Sequence, residues 1–424
     1  FGATVLVPIL VQSYGLPLNT QTTLFFAGFG TLFFHFCTKL KVPAFLGSSF
    51  AFLGGFSAMA ELSSGMYATM EPSEKLQYAC GGIVIAGLLY VILAAIIKAV
   101  GVHRVMHFLP PVVTGPIIIL IGLNLAPSAV SNASSCWWLA LVSMAIIIVA
   151  NIWGRGMIKI IPILLGVVGG YVVALCAGMV DFSGFAGSSL LTGENAVLGL
   201  QPFLKNFSGS VAKFDLTAIL VMAPIAVASM MEHIGDVSAI SATVGENFIE
   251  DPGLHRTLIG DGVATALAGL FGGPANTTYG ENTGVLVLSR VHDPRVVRLA
   301  AIYAIILSFS PAFAHLVNTI PSAIIGGVSF ILYGMISAIG VRNVVENHVD
   351  FTNSRNLIIA AVILVCGLGF TDGLTFQIGA ASITLTSLAI AAIAGIVLNA
   401  ILPGNDFYLG KSASGDDAGS LGKY

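Results

Sequence analysis

The chain has 424 residues, of which 56% are hydrophobic and only 9% charged, with a formal net charge of -3 and a mean hydropathy of +0.95. That balance excludes an ordinary soluble globular domain and indicates a polytopic membrane protein. The scattered basic residues exclude a nucleic-acid footprint, and the single, unspaced Cys37, Cys80, Cys136, Cys176 and Cys366 exclude a disulfide framework or a cysteine metal site.

A span needs about 20 apolar residues to cross a hydrocarbon layer of about 30 Å. The first, FGATVLVPIL within 1–11, reads as the second half of a helix whose start precedes Phe1. Runs follow at 19–38, 43–59, 76–99, 107–126, 137–153, 158–178, 215–241, 256–271, 275–290, 296–315, 320–340, 355–370 and 379–402, giving fourteen segments. Charge provides an independent check, because cytoplasmic loops collect Lys and Arg. With the amino terminus inside, fourteen of the seventeen basic residues fall on one side, and only Lys75, Lys205 and Lys213 fall outside. Both termini are then cytoplasmic.

The polar stretch 181–214 divides the segments into seven and seven. An odd number per half inverts the second half, the architecture of many secondary transporters. PVVTGPIIILIG (111–122) and PSAIIGGVSFILYG (321–334) agree, sharing a proline and later glycines. VPAFLGSSFAFLGG (42–55) and GGPANTTYGENTG (272–284) occupy matching places in the halves, and both are interrupted by Gly or Pro. Irregular backbone survives at membrane depth only inside protein or along a cavity. SSFAF and NTTYG are therefore expected to run side by side as a short antiparallel strand pair, each followed by a half-helix whose amino terminus offers free N–H groups to a polar ligand. The fold class is all-α and polytopic, with these two broken segments at its centre.

Three carboxylates lie in this apolar setting: Glu232 and Asp236, four apart in TAILVMAPIAVASMMEHIGDVSAIS, and Glu281 in the second broken segment. An acid at membrane depth costs several kcal/mol unless neutralised, and such residues are functional-site candidates. Taking up a proton lowers that cost, so these three are the candidates for proton coupling. His233 lies on a different face from Glu232 and reads as a satisfied packing residue, and His35 reads as structural. Asp261, near the cytoplasmic end of its segment, reads as a polar support.

FGATVLVP, PAFLGSSFAF, EHIGD, DPGLHR, GGPANTTYGENTGV and GGVSFILYG together resemble the uracil permease branch of the nucleobase-ascorbate transporter family, from Phe1 to Pro403. The resemblance implies a proton-coupled uracil symporter in the cytoplasmic membrane of a bacterium, usually a homodimer and without cofactor or metal. It implies a core domain of 1–106 and 215–318, a gate domain of 107–180 and 319–402, an outer connection at 181–214 and a flexible tail at 403–424. By the same resemblance Glu232 and Glu281 grip the base, Phe50 packs on its ring, and backbone around Ala51, Tyr279 and Gly280 supplies hydrogen bonds. Tyr333 belongs to the gate. One residue departs from the pattern: Asp236 stands where uracil permeases of the best-known type carry His, which leaves the coupling ion open.

The chemistry of the cargo fits on its own ground. The edge of uracil alternates N–H donors with C=O acceptors, and a protonated carboxyl offers one of each, whereas an ionised one only accepts. Another nucleobase such as xanthine on the same fold is the alternative cargo. An anion is disfavoured by the acids, and an intramembrane hydrolase by the absence of HExxH or a His/Cys cluster in the sequence.

Overall fold

The computed structural model describes residues 2–63, 65–180, 211–371, 373–378 and 381–404. Most of the expected outer connection and nearly all of the expected tail lie outside the described residues.

The chain enters through α1 (Gly2–Ser13) and α2 (Thr20–Cys37), the latter capped by Asn19, whose side chain accepts from the Thr22 N–H. Strand β1 (Leu46–Ser48) and a short 3-10 turn at Phe50–Phe52 lead into α3 (Leu53–Glu61). Helix α4 (Pro72–Val100) begins with proline in its first turn and stops at Gly101, whose φ of 97° an L side chain rarely adopts. Helices α5 (Val102–Phe108), α6 (Pro111–Ser134), α7 (Trp137–Ile152), α8 (Met157–Ile160) and α9 (Pro162–Cys176) follow. After the connection come α10 (Leu216–Met222), α11 (Ile225–Val244), α12 (Leu254–Leu270), strand β2 (Asn276–Thr278) and α13 (Gly280–Ser289). The chain closes with α14 (Pro294–Ser308), α15 (Pro311–Asn318), α16 (Ser322–Glu346), α17 (Ser354–Gly369), the strands β3 (Leu374–Ile378) and β4 (Ala381–Leu385), and α18 (Ser387–Ile401).

Among the described residues four helical stretches are by themselves long and apolar enough to cross a bilayer: Pro72–Val100, Pro111–Ser134, Leu216–Val244 and Ser322–Glu346. The pair α14 and α15 makes a fifth, bent by 89° where Ser310 and Pro311 interrupt it. Of the remaining expected spans, α1, α7, α9, α17 and α18 are shorter apolar helices, while α2 and α12, with 18 and 17 residues, are less apolar. Helix α7 shows how a short one can serve: Trp137 and Trp138 are exposed at one end and Trp153 at the other, about 24 Å apart for 16 residues, as in the aromatic belts of membrane proteins. The molecule is thus a helix-rich polytopic membrane protein with short strands.

Two groups of helices are packed through small residues. Helix α12 lies along α4 and α2, and α2 along α14, while α6 lies along α16, which in turn meets α7 and α9. A Cβ on Gly262 would stand 2.6 Å from the Gly87 carbonyl oxygen, and one on Gly340 2.6 Å from the Ile119 nitrogen. Close backbone approach of this kind replaces the hydrophobic drive that lipid removes.

The two broken segments meet as expected. β1 and β2 pair antiparallel, Leu46 with Thr278, Gly47 with Thr277 and Ser48 with Asn276. One device fixes each strand from a neighbouring helix. The Thr31 hydroxyl on α2 accepts from the Leu46 N–H at 2.9 Å and turns back toward the Ala27 and Leu46 carbonyls at 2.7 and 3.2 Å. The Thr265 hydroxyl on α12 accepts from the Asn276 N–H at 3.1 Å and donates to the Asn276 carbonyl at 2.6 Å. His35 Nε2 bonds the Ala44 carbonyl at 2.9 Å, holding the approach to β1.

The expected segment at 379–402 requires correction. Its helix covers only Ser387–Ile401, and the preceding chain forms a second antiparallel pair, β3 with β4, from Leu374↔Leu385 to Ile378↔Ala381. LTFQI and ASITL are rich in β-branched residues and suit strands, a feature that a search for apolar length passes over. Among the described residues there are therefore two strand pairs rather than one.

Candidate substrate and proton site

Strand β1 ends where Phe50 turns into helix, and β2 ends at Tyr279, the cap of α13. The Phe50 ring lies 6.5 Å from that of Tyr279 and 5.9 Å, edge to face, from that of Tyr333 on α16. All three are buried, as is Ala51. Phe50 thus stands between the second broken segment and the helix expected to form part of the gate. The Tyr279 hydroxyl donates to the Ser48 carbonyl at 3.0 Å and lies 3.1 Å from Ser48 Oγ, which itself donates to the Thr4 carbonyl at 2.9 Å. Its ring lies over Gly47, leaving no room there for a Cβ. The tyrosine therefore locks the strand pair, and its hydroxyl is committed to backbone.

Asp236 is buried on α11, and a Cβ added to Gly280 would come within 2.5 Å of its Oδ1. Its other oxygen, Oδ2, accepts from the Thr278 hydroxyl at 3.4 Å. The acid is thus placed against the amino-terminal turn of α13, where first-turn N–H groups have no intrahelical partner. Glu232 lies one turn earlier on the same face and is half-buried. Glu281 follows Gly280 in the first turn of α13, and its side chain lies outside the described residues. The fold therefore brings α11, the β1 end and the α13 start together, and with them Asp236, Phe50, Ala51, Tyr279 and Gly280, with Glu232 one helical turn before Asp236.

His233 has a polar partner at each ring nitrogen. Its Nδ1 lies 2.9 Å from Asp261 Oδ2 and 3.1 Å from Thr278 Oγ1, and its Nε2 lies 3.0 Å from Thr257 Oγ1. The His233 and Asp261 side chains are both fully buried. Asp261 is therefore near the site through Thr278 rather than remote from it. A signal for this was present in the chain: Thr257, Asp261 and Thr265 recur every four residues, a buried polar stripe on one face of α12. Reading acids one at a time misses a stripe made mostly of threonine.

A separate cavity of about 350 Å³ lies where α4, α5 and α12 meet, lined in part by Lys98, Glu250 and His255 and away from the broken segments. Beside it the exposed Asp251 pairs with Lys41 and Lys39. The lysine beside it holds its carboxyl below the usual range.

The chain is similar to known proteins over most of its length. The Permease family model (Xan_ur_permease) matches residues 1–376. A uracil permease of Bacillus caldolyticus is 41% identical over 413 residues, covering 95% of this chain and 89% of the relative. A putative pyrimidine permease of Escherichia coli (strain K12), RutG, is 36% identical, covering 95% and 86%, and the uracil permease of the same strain is 35% identical, covering 95% and 88%. Among solved structures, SLC26A9 aligns with a TM-score of 0.63 at 12% identity, over 94% of this chain and 63% of that one. The transmembrane domain of the cyanobacterial bicarbonate transporter BicA aligns with a TM-score of 0.52 at 17% identity, over 85% and 95%. At such identities the two structures speak for the fold alone.

Proposed function

Because the chain belongs to the Permease family, matched over residues 1–376, we propose that it imports uracil together with protons by alternating access. The observation that carries the reading is Asp236 set against the α13 amino terminus at the antiparallel strand pair, where the Phe50 ring lies near that of Tyr279. Phe50 offers a face for a planar ring, and the acids offer an edge.

In this scheme Glu232 and Glu281 hydrogen-bond the base, and backbone near Ala51 and Gly280 completes its edge. A protonated carboxyl presents a donor beside an acceptor, matching adjacent N–H and C=O groups, whereas an ionised one can only accept. Cargo and proton therefore bind as linked events at Glu232, Asp236 and Glu281. Release of both inward resets the carrier.

The moving parts are a core of residues 1–106 and 215–318 and a gate of residues 107–180 and 319–402. Supporting this division, α12 packs along α4 and α2, and α6 along α16. The inverted repeat is supported by the matching threonine clamps, Thr31 on β1 and Thr265 on β2. Phe50 against Tyr333 is a contact between the two groups and would break or re-form as they shift.

The test is uptake of labelled uracil by vesicles holding the purified chain, with an imposed proton gradient, an imposed sodium gradient, or neither. Proton-driven accumulation that xanthine fails to compete supports the reading. Uptake indifferent to the proton gradient would sink the coupling scheme, and stronger competition by xanthine would reassign the cargo.

A further inference from the structure

The hydroxyl geometry around His233 fixes how many protons the cluster holds. Thr257 Oγ1 donates its single hydrogen to the Leu254 carbonyl at 2.9 Å. Toward His233 Nε2, 3.0 Å away, it can therefore only accept, so Nε2 carries a hydrogen. At the other side of the ring Nδ1 faces an Asp261 oxygen at 2.9 Å, with both side chains fully buried. Thr278 Oγ1 gives its own hydrogen to Asp236 Oδ2, so toward Nδ1, 3.1 Å away, it can only accept, and Nδ1 carries a hydrogen as well. The pair is then imidazolium and carboxylate, and losing the Nδ1 proton would leave an uncompensated carboxylate facing a lone pair away from water.

We propose that His233 and Asp261 form a dyad that keeps one proton throughout the transport cycle and acts as a positioning device for β2 and Asp236. Thr278 links the two functions. Its hydroxyl lies 3.1 Å from Nδ1 and donates to Asp236 Oδ2 at 3.4 Å. The dyad thus joins α11 and α12 to the strand that precedes the α13 amino terminus, and it orients the hydroxyl that reaches Asp236. The titratable groups around it are Tyr90 of α4, whose ring lies 6.3 Å from that of His233 and whose hydroxyl donates to Ser229 at 2.6 Å, and Glu232 and Asp236 of α11. A dyad that never releases its proton leaves the coupling proton to the neighbouring acids, although Asp261 is itself a fully buried carboxylate.

The test uses the full chain in lipid vesicles, labelled with nitrogen-15 histidine, observed by solid-state magnetic resonance between about pH 5 and pH 9, the range over which free histidine changes charge. The His233 signals are identified by their loss in His233→Gln and, should that variant fail to fold, by their displacement in Thr257→Val. Signals that stay constant across the range support the dyad, and signals that titrate overturn it. A second readout is the pH profile of uracil binding. Asp261→Asn should weaken binding about tenfold, roughly the loss of one buried charged hydrogen bond, with its midpoint unmoved, while Asp236→Asn should move the midpoint. A midpoint that moves in Asp261→Asn, or unaltered binding there, would refute the positioning role. The spectra test the dyad whatever the cargo, so failure of uracil uptake and failure of the dyad are separable.

Discussion

At the scale of single residues, the site depends on contacts with little slack. Gly280 leaves room for Asp236 Oδ1, and Gly280→Ala would set a Cβ 2.5 Å from it, closer than such atoms stand in folded proteins. The carboxylate or the start of α13 must then shift. We expect Gly280→Ala to weaken uracil binding by more than about tenfold, since a displacement of one ångström in a binding group is enough for such losses. Equilibrium binding to the purified variant, alongside a melting curve showing that it is folded, checks this. Glu232→Gln keeps the shape of the side chain but replaces a group that changes protonation by one that does not. A hydrogen bond to a charged group is worth about 1.5–3 kcal/mol, so a loss of about 10- to 150-fold in affinity is expected. Unchanged affinity in that variant would remove Glu232 from the site.

At the scale of elements, two short strands are held by side chains from helices rather than by a sheet. A three-residue pair has too few ladder bonds to persist unaided. Thr31 and Thr265 supply the missing bonds, and each is fully buried. Thr265→Val keeps the volume and leaves the Asn276 N–H and carbonyl without this partner, at a cost of about 1–3 kcal/mol. Lower melting temperature and weaker uracil binding are expected together, and Thr31→Val should behave alike. A variant with normal stability would show that the clamps are dispensable. The surface pairing of Asp251 with Lys41 belongs to a different pH regime. Its carboxyl is depressed in the folded chain, so its contribution is present above the ordinary aspartate range and is lost as acid drives pH down through the depressed value. Asp251→Asn should therefore leave the pH profile of uptake near neutrality unmoved, and a shifted profile would place this ion pair in the coupling machinery.

At the scale of the whole molecule, Phe50 and Tyr333 touch across the proposed division into core and gate. A rigid shift of one group on the other predicts that spin labels at Ile92 of α4 and Val365 of α17, both exposed, change separation when uracil and acid are supplied together. Labels at Ile92 and Leu299, on α4 and α14 within one group, should keep theirs. Equal change in both pairs would point to local rearrangement instead of a rigid shift.

The sequence by itself determined the membrane setting, the two interruptions and the stranded acids, because each is local. Hydropathy adds along the chain, Gly and Pro break helices where they stand, and Glu232 and Asp236 share a face through helical spacing alone. It also made the family resemblance readable. Tertiary structure alone decided the rest. Ser48 and Tyr279 are 231 positions apart yet lie in contact, and His233 meets Asp261 and Thr278 only because α11, α12 and β2 converge. The role of a polar group in an apolar interior depends on the partner that satisfies it. Spacing along one helix cannot name a partner on another.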